Sequence, residues 1–400
     1  MYLRSYLCET VSMQPYSSSR SDTLPLSGCR VVECSSSVAA AYAARLLAAM
    51  GAHVVMLEPP AGSPLRQAAP RLAGTKESAL FAYLAVGKHS LVCDLSTEEG
   101  QALLSRELDQ ADIFIEDSAV RDRAGRGLEP QSLNQRFPSL VHVSVLPFGA
   151  TGAKADWDGV ELNLIHAGGE GYLLPNGLSH ELFPDRPPLK IYGHFGAYQG
   201  GAMAAFCALS AWWAVPQRGG QYVDVSVQDA VLAVGAFALQ RLGDGSLEHR
   251  TTRSFRYGGV FETRDGYVEL LTLEDRQWLS LVQLLGNPEW AGDEALRDPL
   301  ERSRRGREIN AHIRAWMSMH HADDIVMRAQ ELGVPIAKYR TPNEVMAGDQ
   351  ERSRGLFAPA VLESGKQTDI LVAPFQFRRS PLPGGGCVPA LNEMAGEEMV

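Results

Sequence analysis

Cysteine is sparse and scattered. Six occur in 400 residues, at Cys8, Cys29, Cys34, Cys93, Cys207 and Cys387, with no CxxC pair. That excludes a disulfide framework and a zinc ribbon and leaves buried thiols of a reducing compartment. The ten histidines form no HxxxH or HExxH pattern, so no metal is expected. No long uncharged apolar run is present, so no membrane span is expected. Excess positive charge is missing too. The formal charge is −10 and the pI about 5.5, which argues against nucleic acid as a partner but leaves room for a local basic pocket. Residues 1–23 lack the apolar core of a signal peptide and read as a Ser-rich disordered tail, so a cytoplasmic location is expected.

What is present is a full hydrophobic complement, 45% of the chain, enough for one large or two medium domains. Residues 24–66 (LPLSGCRVVECSSSVAAAYAARLLAAMGAHVVMLEPPAGSPLR) carry the clearest pattern. A β-run from Arg30 to Cys34 passes through serines into a helix from about Ala39 to Met50. Gly51 stops it, and a second β-run follows from His53 to Leu57. A βαβ unit of this kind requires a parallel sheet. Further strands are expected at Leu91–Asp94, Ile113–Glu116, residues 140–149 and Gln221–Val225. Ser96, with Glu99 three residues on, reads as a helix N-cap. A short helix is expected from about Glu161 to Ala167, a small-residue helix over 196–214 and an apolar one from Val227 to Leu242. A hairpin should turn at Arg264-Asp265-Gly266. Together these predict an α/β, doubly wound sheet whose ligands sit beyond the carboxyl ends of its strands.

Five blocks then appear in order: LPLSGCRVVEC with LLAAMGAHVVMLEPPAGSPLR; GKHSLVCDL with EGQALL and ADIFIED; GAMAAFCALSAW leading to RGGQYVDVSVQDAVL; YGGVFETRDGYVEL; and GVPIAKYRTPNEV with RGLF. In this order the chain resembles the family III CoA-transferases, the CaiB/BaiF group that also includes α-methylacyl-CoA racemases. The resemblance runs from about Leu24 to Pro381. It implies a Rossmann-like large domain over 24–215, completed by 331–400, with a small α+β domain over 216–330. It further implies an intertwined, ring-like dimer, either with a second copy or with a homologous subunit. Acyl-CoA and carboxylic acids are the implied substrates, with coenzyme A as the group carried.

CoA's phosphates favour helix N-termini and basic side chains, and Arg66, Lys88, His89 and Arg123 lie near the ends of expected strands; with Gly159 they are the expected CoA-binding residues. Residues 170–190, with Tyr172, Phe183 and Arg186, are expected at the acyl end.

The chemistry departs from the family's pattern. Relatives place an aspartate just before the small-residue helix; its carboxylate attacks the thioester and takes up CoA. Here the string is Tyr192-Gly193-His194-Phe195-Gly196, and the aspartate position is His194 or, in a shifted register, Gly196. The racemase histidine falls at Val160, although Gly159, Glu161 and Asn163 fit the family around it; a supporting acid matches at Glu274. An Arg common after the first acidic residue is Pro59, and a Gly-Pro pair is Ala40-Ala41. Three readings follow. The chain is an enzyme with relocated chemistry, His194 acting as general base beside Glu161 or Glu274; or a non-nucleophilic subunit of a heteromeric transferase; or a ligand-binding homologue without chemistry.

Overall fold

The structure is a computed structural model that describes residues 24–169, 171, 185–187, 189–234 and 257–395. The expected tail 1–23, Tyr172, Phe183, the second half of the expected helix 227–242 and the last five residues lie outside the described residues.

Strand β1 (Arg30–Cys34) leads to Ser37, whose Oγ accepts from Ala40 N at 3.3 Å and caps helix α1 (Val38–Ala49). Gly51, at φ +98, turns the chain back into β2 (His53–Glu58), paired parallel to β1. The chain continues through α2 (Ala79–Ala85), β3 (His89–Val92), α3 (Glu98–Asp109), β4 (Ile113–Glu116), α4 (Arg123–Arg126), α5 (Pro130–Arg136) and β5 (Val141–Leu146). After α6 (Glu161–Ala167) and the long α7 (Phe195–Arg218) come β6 (Tyr222–Ser226) and α8 (Val227–Val234). The sheet order is β3-β2-β1-β4-β5-β6, every pair parallel. This is a Rossmann-type order, with its direction reversal between β1 and β4. One expected cap is displaced. Helix α3 is capped by Thr97, whose Oγ1 accepts from Gly100 N at 3.0 Å, because Ser96 instead donates to Asp94 Oδ1 at 2.6 Å.

The strands are continuous apolar runs because both faces are covered. Val31, Ile113, Ile115 and Val143 face α1 and α7, whereas Val32, Val55 and Phe114 face Leu104 and Leu133 of α3 and α5. Helices α1 and α7 lie backbone against backbone. A Cβ built on Gly201 would stand 2.5 Å from the Ala39 carbonyl oxygen. The small residues of α7 therefore bring its N-terminus to the carboxyl ends of β1 and β5.

Two smaller sheets complete the description. Strands β7 (Gly259–Glu262), β8 (Tyr267–Leu270) and β9 (Ile336–Lys338) form an antiparallel sheet with the expected 264–266 turn. Phe261, Val268, Leu270, Trp278, Ile313 and Ile336 share one buried cluster there. Strands β10 (Phe357–Val361), β11 (Gln367–Leu371) and β12 (Gly386–Cys387) pack Ala360, Ile370 and Val388 onto Leu80, Phe81 and Leu84 of α2. Among the described residues no helix is long and apolar enough to cross a membrane.

Candidate active site

The reversal between β1 and β4 sends their following loops to opposite faces and opens a crevice at the carboxyl edge. Two cavities occupy it. The larger, about 480 Å³, is lined by Ser36–Ala39 after β1, by Asp117 and Ala119 after β4, and by Leu146 and Pro147 ending β5. Asp156–Glu161, His194 and Ala197 complete its wall. The smaller, about 300 Å³, is lined by Cys34, Ser35, Ser36, Pro59, Cys93, Ser96, Asp117 and Arg126, among others. Ser36 and Asp117 are common to both.

His194 is placed by its neighbours. Gly193 takes φ +90, and Lys190 Nζ donates to the carbonyls of Ile191 and Gly193 at 2.7 and 2.9 Å. The chain then enters α7 with His194 as its N-cap residue, its carbonyl accepting from Tyr198 N at 2.9 Å. The half-buried imidazole lies edge-on to Tyr198, ring centroids 6.3 Å apart.

Glu161 opens α6. Arg121 ties down the preceding string, donating to the Asp156 carbonyl at 2.7 Å and to Asp158 Oδ1 at 2.9 Å. Val160 N donates to Asn163 Oδ1 at 2.9 Å. Gly159 passes so close to β5 that a Cβ would meet Pro147 Cβ at 2.8 Å. The Glu161 carboxylate reaches the first turn of α7. Its Oε1 accepts from Gly196 N at 2.8 Å and its Oε2 from Ala197 N at 3.0 Å. Two amides and the positive end of a 24-residue helix thus hold its charge. Burial, with Tyr42 and the Glu161 charge, pushes the Tyr198 phenol up to about 12.

Asp117 stands at the waist between the cavities. It accepts from Ser36 N at 2.8 Å and Ser37 N at 2.5 Å. Burial pushes its carboxyl up to about 6 against the pull of those bonds. Burial also raises the Cys34 and Cys93 thiols, so neither is a ready nucleophile.

The structure brings His194, Glu161 and Gly159 to one cavity. Other sequence candidates lie elsewhere. Lys88 Nζ is buried against Glu33 Oε2 at 2.6 Å and the Ala41 carbonyl at 2.9 Å. Arg66 makes two 2.8 Å bonds to the buried Glu58 and lies over the Phe81 ring. Arg123 pairs with the buried Glu116 at 2.9 Å and donates to Tyr222 Oη at 3.0 Å. His89, partly exposed, lies 3.4 Å from Glu393. Glu274 precedes the helix Asp275–Leu284 of the small sheet region, exposed beside Arg276 and away from the cavity lining. Arg186 is within the described segment 185–187 but does not line this cavity.

Asp117, Ser36 and Arg126 were not singled out by the sequence. The available signal was their place: Asp117 directly follows β4, and Ser36 lies in the loop after β1, the two strands that flank the reversal. Among the described residues no cluster of three or more His, Cys, Asp or Glu could hold a metal ion.

Comparison with known proteins agrees with this architecture. The family model described as CoA-transferase family III matches residues 26–394. The chain is 30% identical over 342 residues to succinyl-CoA–D-citramalate CoA-transferase of Chloroflexus aurantiacus, covering 82% of each chain. It is 29% identical to succinate–glutarate CoA-transferase of Agrobacterium fabrum, covering 92% of this chain and 93% of that one. The crystal structure of a CAIB/BAIF family protein from Brucella suis superposes with a TM-score of 0.81 at 27% identity, covering 93% of this chain and 98% of the other. With a doubly wound sheet, a cavity at its reversal point and a family match over nearly its whole length, the chain belongs to CoA-transferase family III.

Proposed function

We propose that this protein moves CoA from an acyl-CoA to a free carboxylic acid, at the larger cavity, with His194 and Glu161 at the reacting centre. One observation carries the reading: the His194 imidazole and the Glu161 carboxylate held on the α7 amides line the same 480 Å³ space. Both curated relatives above are CoA-transferases acting, by name, on carboxylic acids. The smaller cavity, which shares Ser36 and Asp117 with the larger one, offers room for the rest of a long thioester, with Arg126 on its wall. His194 supplies a proton donor and acceptor for the departing and returning thiol near neutral pH. CoA is thus a carried substrate, and the functional unit is a dimer, with a second copy or a homologous chain.

The test is exchange of CoA between a panel of acyl-CoAs and acceptor acids, followed chromatographically. The expected result is exchange by the purified chain, reduced about 100-fold or more by His194→Ala. Tight acyl-CoA binding without any exchange would overturn the reading. The aspartate's absence at position 194 also favours a second reading, a subunit that works only beside a homologue carrying that aspartate. Exchange that appears only after mixing the two chains selects it.

A further inference from the structure

By sequence the missing aspartate has two possible positions, 194 and 196; Glu161 accepts from the amide of the second and lines one cavity with the first. Its Oε1 is 2.8 Å from the Gly196 amide, and a Cβ built on Gly196 would lie 3.5 Å from Oε2. That Cβ would also meet Val231 Cγ2 at 3.2 Å and Ile165 Cδ1 at 3.5 Å, so the carboxylate borders the space that a side chain at 196 would enter. His194, one residue before α7, lines the same cavity. We infer that Glu161 is the nucleophile of this protein and carries CoA as a glutamyl thioester during turnover. The inference rests on the transferase reading above and assigns a new role to one residue of it.

The covalent steps balance without any further reagent. A Glu161 oxygen attacks the thioester carbonyl, the C–S bond breaks, and thiolate leaves, giving a mixed anhydride. Thiolate then adds to the Glu161 carboxyl carbon. The bond from that carbon to the bridging oxygen breaks, and the donor acid departs with that oxygen. The acceptor carboxylate next attacks the glutamyl thioester and expels thiolate. Thiolate adds to the acceptor acyl carbon, and the bridging oxygen stays on Glu161 as its carboxylate is restored. Each addition at the Glu161 carbon creates an oxyanion, and the Gly196 and Ala197 amides already point at those oxygens. A carboxylate that served only to cap α7 would need no cavity in front of it.

The bookkeeping of oxygen supplies the test, since one acceptor oxygen must end on the nucleophile. The purified full chain is turned over with an acyl-CoA and an acceptor acid carrying heavy oxygen in its carboxylate, then digested and mapped by mass spectrometry. The expected result is one heavy oxygen in the peptide containing Glu161 after a single turnover, rising toward two as turnover is repeated. Exchange without label at Glu161 overturns this inference while leaving CoA transfer standing; no exchange at all overturns both. As a second measurement, Glu161→Gln keeps an acceptor for one of the two α7 amides. It should retain acyl-CoA binding and lose exchange by roughly 1,000-fold or more, whereas a loss below about tenfold would reduce Glu161 to a cap and sink the proposal.

Discussion

Individual side chains differ in what they disclose before folding. Asp117 illustrates a property visible only in three dimensions. Its carboxyl is raised by burial from 3.8 to about 6, so the folded chain holds that proton more tightly than the unfolded one. Its contribution to stability is full below about pH 3.8 and is lost as pH rises through about 6. Asp117→Asn should therefore gain in melting temperature relative to the parent as pH is raised across that window. A difference independent of pH would refute this. Gly159→Ala is a second residue-scale case. The new methyl would meet Pro147 Cβ at 2.8 Å and Phe148 Cε2 at 3.1 Å, neither of which can swing away freely. A loss of about 1–3 kcal/mol in urea unfolding is expected, together with distortion of the cavity wall. His194, Glu161 and Gly159 were singled out from the glycines and the small-residue helix that flank them, and the fold places all three on one cavity wall. Lys88, Arg66 and Arg123 were legible as charges but not in direction. Nothing in the string GKHSLV says that the lysine turns inward to Glu33, because its partner is 55 residues away.

Elements were the most readable level, since hydrophobic periodicity and Gly stops act locally. The strands at 30–34, 53–58 and 113–116 lie where short apolar, β-branched runs put them. Caps were less readable, as Ser96 and Thr97 show: adjacent hydroxyls compete, and the Asp94 carboxylate decides between them. The contact of α1 with α7 yields a prediction in which two effects oppose. Gly201→Ala gains up to about 1 kcal/mol of helix propensity. It also places a methyl 2.5 Å from a backbone oxygen, which cannot rotate aside, at a cost of about 1–3 kcal/mol. Net destabilisation in thermal unfolding is expected, and stabilisation would show that the two helices can separate without penalty. Between β4 and α4, Arg123→Met leaves Glu116 buried without its cation, 0% exposed in its side chain. About 3–5 kcal/mol should be lost in denaturant unfolding, and replacing both partners by apolar residues should recover much of it.

At the level of the whole molecule, the alternation of apolar β-runs with helices over 30–146 predicted the doubly wound sheet, and the ordered series of five blocks added the resemblance that implied the family. The loops between β5 and α7 were not legible, since Gly, Pro and charge without periodicity leave the path open. The outer surface of α7 carries Phe206 and Trp213, 68% and 82% exposed in the single chain. Light scattering should give a particle of twice 43.5 kDa for the purified chain, or a mixed pair when a homologous chain is supplied. A stable 43.5 kDa species at micromolar concentration would contradict the dimer. The crevice between β1 and β4 has one more implication. It is opened by the route of the backbone, whose successive crossovers part company there, and not by the size of any side chain. Remodelling its lining can thus change which ligand fits while the opening itself persists, because the side chains set its shape and the backbone route sets its existence.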